Sequence, residues 1–243
     1  MEWQGLVSQQ SKMKSKYKIS ACFCCHDNDS SIKMVLDSIS KYVNHGIFVN
    51  LNDPTDKMKE IVNDHKAVTN VIETTNNGQR WNQGLVRDNT IRMLDNANPD
   101  IVLFLDDDET LPDIYDFPGQ LEQFMSNEDY RTWWWRLLYL HGDKYHFRND
   151  GLYKSIHHVR AYKWEPGITY LPKYPGYACP RNFAKLDKKA RFNADRPMLH
   201  WGYMNEDDRL RKYKRGNCRQ CDEEYRKEVD KGMLILETPK ELL

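Results

Sequence analysis

A chain of 243 residues is one domain by length, long enough to bury a core without staples. Its 36 basic and 36 acidic side chains cancel, which excludes a histone-like or generic polyanion binder but leaves room for a local basic patch. A mean hydropathy of −0.83 with 12% aromatic residues describes a polar, globular chain and excludes a disordered one. No apolar run is longer than Ile101–Leu105, and the polar stretch Met1–Lys18 lacks the apolar centre of a secretory leader. The expectation is therefore a soluble, cytoplasmic protein.

Residues 1–16 read as a loose arm. Lys18 to Cys25 is a continuous small-apolar run, the pattern of a strand buried on both faces. From Ser30 to Val43, the residues Ile32, Val35, Leu36, Ile39 and Val43 recur at helical spacing, with Asp29 or Ser30 as the N-cap. Strands at 47–51, 68–72 and 101–105 alternate with helices at 55–64 and 83–96, which implies βαβ units and a parallel sheet. Further on, 132–140, 157–164 and 168–171 read as strands, and 205–215 and 222–231 as polar helices. The fold expected is α/β in one domain over 17–243. A Rossmann-like parallel half (17–109) precedes a mixed-sheet half (110–216) and a C-terminal helix and tail (217–243).

Charge is unevenly spread. Eleven acids and no base lie between Arg92 and Arg131, whereas twelve bases against five acids leave +7 over Arg181–Arg219. Such blocks are either solvated faces or an acidic metal site opposite a basic, phosphate-receiving wall. The strongest single signal is Asp106-Asp107-Asp108-Glu109, directly after the strand Ile101–Leu105. Four adjacent carboxylates repel one another unless a cation neutralises them. Strand ends of this kind open into the sheet's binding crevice, and hard oxygen donors in a short turn suit Mg²⁺ or Mn²⁺. Zinc is not expected: Cys218 and Cys221 form a lone CxxC, Cys179 stands apart, and Cys22, Cys24 and Cys25 sit in the first strand as reduced thiols. Side chains alternate along a strand, so Trp134 faces away from Trp133 and Trp135; one face is core, and the other is open to sugar stacking.

Taken in order, these segments resemble the family 2 glycosyltransferases and their GT-A-fold relatives over roughly residues 17–216. The resemblance rests on Lys18–Asn28, Asn52-Asp53-Pro54-Thr55-Asp56, Asn77-Gly78 followed by Arg87-Asp88-Asn89, the DxD-type turn Asp106-Asp107-Asp108, and Leu199-His200-Trp201-Gly202-Tyr203. It implies a nucleotide-sugar donor, a UDP-sugar foremost, bound by Asp53, Arg80, Arg87, Asp106 and Asp107. It also implies a divalent cation, Mn²⁺ or Mg²⁺, on Asp106, Asp108 and His200. The base that deprotonates the acceptor is one of Asp150, Glu206 and Asp207. The acceptor implied is a hydroxyl of a glycan, a lipid-linked sugar or, given the basic segment, a hydroxylated DNA base; inversion is the stereochemistry implied.

Two other readings stay open. A nucleotidyltransferase on the same fold calls for a glycine-rich basic loop after the first strand, where this chain has the acidic, glycine-free His26-Asp27-Asn28-Asp29. A carbohydrate- or nucleic-acid-binding module without catalysis would have no use for the intact acidic turn, and metal titration separates the two.

Overall fold

The computed structural model describes residues 15–26, 29–77, 82–155, 157–170, 179–183, 187–204 and 234–243. Among them the chain runs β1 (Ile19–Cys25), α1 (Ile32–Ser40), β2 (Ile47–Asn52), α2 (Asp56–Asn63), β3 (Val68–Thr74), α3 (Gln83–Arg92) and β4 (Ile101–Asp106). It continues through β5 (Glu109–Thr110), α4 (Phe117–Ser126), β6 (Thr132–His141), β7 (His146–Arg148), β8 (His157–Lys163), β9 (Arg191–Asn193), β10 (Met198–Tyr203) and β11 (Ile235–Glu237).

The strands join in the order β11-β7-β6-β8-β4-β1-β2-β3, with β9 and β10 pairing with β6, and β5 with β10. β4, β1, β2 and β3 are mutually parallel, and β8 enters antiparallel against β4. This is the α/β architecture expected, a parallel half followed by a mixed one. The chain order reverses between β1 and β4, so their carboxyl ends meet at a switch point, where Cys24 is in register with Asp106.

Why β1 and β4 are apolar throughout follows from what covers them. Ile19, Ala21, Phe23 and Cys25 of β1, with Ile101, Leu103 and Leu105 of β4, pack into one core beneath α1, α2 and α4. Cys22 and Cys24, with Val102 and Phe104, pack into a second core on the opposite face with Val86 and Ile91 of α3. A strand covered on both faces cannot alternate with polar residues. Gly46, at φ 105, turns the chain into β2, and a Cβ there would sit 2.5 Å from the Thr69 hydroxyl.

Several local expectations are corrected. The N-cap of α1 is Ser31, not Asp29 or Ser30, and its hydroxyl donates to the Asp107 carbonyl (2.8 Å) in place of capping the helix. α3 stops at Arg92 and not at Asn96, with turns following to Ala97. No strand forms at 168–170, because the Tyr170 N–H is taken by the Asp88 carboxylate (3.0 Å) and so joins no ladder. The helix α4 was not anticipated; Asp116 caps it by accepting the Gly119 N–H (3.1 Å), and Phe117, Leu121 and Phe124 form its buried stripe.

Trp133 and Trp135 are buried on one face and stacked at 4.5 Å, while Trp134 joins the other face. The Trp134 ring is no open platform for sugar: the Arg191 guanidinium lies over it at 4.6 Å. Cys22, Cys24 and Cys25 are buried free thiols. The expected helices 205–215 and 222–231, the Cys218/Cys221 pair and nearly all of the arm 1–16 lie outside the described residues. Among the described residues no helix is long and apolar enough to cross a membrane.

Candidate active site

The carboxylate turn leaves β4 at the switch point and is pinned from three directions. Asp107 accepts the His26 N–H (3.1 Å) and, through its carbonyl, the Ser31 hydroxyl, which ties the turn to the exit of β1. The Asp108 carbonyl accepts the Trp201 N–H (2.7 Å), and the Trp201 indole N–H reaches Thr110 (2.8 Å), which ties it to β10. From behind, Arg160 of β8 donates to both oxygens of Glu109 (2.5 Å each) and to Asp106 (2.8 Å).

Three of the four carboxylates therefore separate into two groups, and Asp107 stays with His26 and Ser31. Asp106 is ion-paired with Arg87 as well as Arg160. Burial would raise its pKa, but Arg160 and Arg87 hold it well below the usual carboxylate range. Glu109 is fully buried, and burial pushes it up to about 7 against the pull of Arg160. Asp108 takes no share of either guanidinium in these bonds; its Oδ1 lies 3.5 Å from His200 Nε2, and both side chains are buried.

Strand pairing delivers His200: β10 runs antiparallel to β5, with His200 opposite Glu109. Its ring packs against Tyr139 (4.5 Å) and Tyr203 (5.6 Å), and its Nδ1 accepts the Gly202 N–H (3.3 Å), which leaves Nε2 toward Asp108. Asp108, Glu109 and His200 each bring one ligand atom within 4.8 Å of the others. The Asp108 carboxylate and the His200 imidazole are donors that fit Mn²⁺ or Mg²⁺, and Glu109 sits beside them with both oxygens accepting from Arg160.

The remaining candidates fall around this centre. Arg87 is completely buried, lies against the rings of Phe104 (4.8 Å) and Tyr170 (5.9 Å), and meets the turn only at Asp106. Asp53 adopts φ 47 and accepts from Thr75 Oγ1 (2.5 Å) and from the backbone and side chain of Asn76 (3.0 and 2.9 Å). Those bonds, the Thr75 hydroxyl first, hold its carboxyl below the ordinary value and stitch the end of β2 to that of β3. Asp53, Pro54, Glu73, Thr74, Thr75 and Asn89 line a cleft of about 500 Å³.

Asp150 accepts both prongs of Arg148 (2.6 and 3.0 Å), and Arg148 lies over Tyr153 at 4.3 Å. Tyr153 abuts Tyr139 (4.8 Å), so a run of rings links Asp150 to His200. Arg80, Glu206 and Asp207 lie outside the described residues, as does the basic segment from Arg209 onward.

Sequence reasoning missed Arg160 and Glu109 as partners. The sequence argument assigned the neutralising charge to a bound cation, whereas two of the carboxylates are met by arginines from inside the protein. The one available signal was an arginine in the middle of the otherwise apolar end of β8, Val159-Arg160-Ala161-Tyr162.

No protein-family model matches the chain, and no curated protein sequence matches it. Among solved structures it is similar to S. aureus TarS 1–349, at 16% identity and a TM-score of 0.45, over 82% of this chain and 63% of that one. It is also similar to glucosyl-3-phosphoglycerate synthase from Mycobacterium tuberculosis, in complex with Mg²⁺ and uridine diphosphate, at 20% identity and a TM-score of 0.38, over 51% and 44%. A third is mannosyl-3-phosphoglycerate synthase from Rubrobacter xylanophilus, at 18% identity and a TM-score of 0.36, over 53% and 42%. The chain spans less than half the length of either synthase. The likeness is one of backbone path, and the chemistry must be argued from the residues.

Proposed function

We propose that this chain is a metal-dependent glycosyltransferase that moves a sugar from a nucleotide-sugar donor, a UDP-sugar foremost, to a hydroxyl acceptor. The observation that carries this reading is the approach of Asp108 to His200, 3.5 Å apart and buried beside the switch point of an open α/β sheet. Asp108 and His200 would hold Mn²⁺ or Mg²⁺, which when bound supplies Lewis-acid neutralisation of the departing diphosphate.

The protein's own groups do the rest. The cleft at the ends of β2 and β3, with Asp53 at its rim, has the volume of a small-molecule site and takes the nucleoside. Arg87 acts on the donor only through Asp106, since the guanidinium is fully buried. Asp150 is our choice for the base, with Glu206 and Asp207 as the other candidates. Arg148 keeps the Asp150 carboxylate aimed, and the rings of Tyr153 and Tyr139 connect that segment to the metal-binding pair. In the transfer the acceptor hydroxyl gives its proton to Asp150, its oxygen bonds the anomeric carbon, and the bond to the diphosphate breaks. A single displacement of this kind inverts the anomeric configuration.

The test is binding and hydrolysis of UDP-, GDP-, CMP- and dTDP-sugars with and without Mn²⁺, on the parent, Asp108→Ala and Asp150→Asn. One donor should bind and turn over with metal. Asp108→Ala should lose both, and Asp150→Asn should lose turnover to an acceptor while keeping donor affinity. If no nucleotide sugar binds and metal has no effect, the reading fails and a binding module takes its place.

A further inference from the structure

Resting on the reading just given, we propose that Arg160 is the positioning residue of the carboxylate turn, holding Asp106 and Glu109 as its own counter-ions and so fixing the place from which Asp108 meets the cation with His200. Three N–H bonds from one guanidinium reach both ends of the turn. Nε and Nη2 hold the two oxygens of Glu109 at the start of β5, and Nη2 also holds Asp106 at the end of β4. The fourth contact, Nη1 to the Val159 carbonyl (3.2 Å), locks the guanidinium to its own strand. Within the turn, the Asp106 N–H donates to the same Glu109 oxygen (3.2 Å), so the clasp closes on backbone as well as side chains.

The geometry gives the clasp a consequence for metal binding. Glu109 lies within ligand distance of Asp108 and His200, and both its oxygens accept from Arg160, so the guanidinium sets the plane of this carboxylate at the edge of the cation site. A bidentate arginine fork fixes a carboxylate's plane as well as its place, which a lysine's single point charge does not. Arg160 is 2% exposed and Glu109 0%, so neither partner has water to fall back on. Partners that orient a metal-binding group typically alter affinity by about 10–100-fold when removed.

Mn²⁺ affinity of the full chain, measured by calorimetry without nucleotide, tests this in the parent, Arg160→Lys, Glu109→Gln and the double variant. Far-UV circular dichroism confirms folding, and all titrations run well below each unfolding midpoint. We expect each single change to weaken Mn²⁺ by about tenfold. The double variant should be little worse than either single, because both break the same clasp. A folded, merely destabilised Arg160→Lys that binds Mn²⁺ like the parent overturns the proposal, since a purely structural ion pair would lower the midpoint and leave affinity alone. Losses that multiply in the double variant overturn it as well, because Glu109 would then be a ligand in its own right. If Arg160→Lys does not fold, Arg160→Gln takes its place under the same criteria, because a loss in Glu109→Gln alone fits a direct ligand as well as a broken clasp. A parent that binds no Mn²⁺ sinks the metal-dependent reading itself, and the proposal with it.

Discussion

His200 stands directly opposite Glu109 in the short antiparallel ladder of β5 and β10, so the imidazole reaches the carboxylate turn through strand pairing and not through a flexible loop. The pairing predicts a preformed centre that needs no large rearrangement to bind a cation. Saturating Mn²⁺ at 100 times its Kd should stabilise the parent by about 2.7 kcal/mol. For a chain of this size that is a rise of several degrees in the unfolding midpoint. His200→Ala should lose the rise, and the loss of its ring packing against Tyr139 and Tyr203 should also lower the metal-free midpoint. Differential scanning calorimetry with and without Mn²⁺ checks both, and an undiminished shift in the variant would remove His200 from the site.

The contribution of His158 to stability should fall on mild acidification. Burial, with Arg160 adding its charge, lowers this histidine to about 3, and its Nε2 lies 3.2 Å from the Tyr139 hydroxyl. Asp106 opposes the shift, while His200 and Arg87 reinforce it. An unfolded histidine titrates near 6.5, so between 6.5 and 3 the unfolded chain holds a proton that the folded chain refuses. That contribution is then fully present above 6.5 and declines as the pH drops through that window, by on the order of a few kcal/mol at its lower end. In urea titrations from pH 7 to 4, His158→Gln should show a shallower decline than the parent. Parallel profiles would contradict the assignment.

The tryptophan run offers a sharper contrast. Trp133, fully buried and stacked on Trp135 and Phe117, should cost about 3–5 kcal/mol when cut to alanine. Trp134, half-buried beneath Arg191, should cost less than half as much. Denaturant midpoints of the two variants measure the difference, and equal losses would mean that the alternation across β6 does not govern its packing.

The parts of the fold legible in the sequence were those whose cause is local. β1 and β4 announced themselves because both their faces are covered, and α1 because Ile32, Val35, Leu36 and Ile39 fall on one stripe. α4 carried an equally clear stripe, but the acids around it, Asp113, Asp116 and Glu122, drew the reading toward charge. β10 was seen as a motif around His200 and not as a strand, since its ladder partners, β5 and β6, lie some 60 to 90 residues earlier. Arg160 was out of reach for the same reason: nothing in the spacing of His157–Lys163 says that this arginine meets a carboxylate 51 positions before it.

That separation in sequence also bears on how such a chain can be rebuilt. The carboxylates of the turn come from the segment that builds the parallel sheet, and the guanidinium that satisfies two of them comes from the mixed one. A recombinant that grafts either segment onto a foreign counterpart would bury carboxylates without a cation or an arginine without an anion, a mismatch costing about 3–5 kcal/mol. The mixed-sheet portion is therefore not a free cassette. Any exchange of it has to carry an arginine at the place of Arg160, or remove the negative charge of Glu109 in the same step.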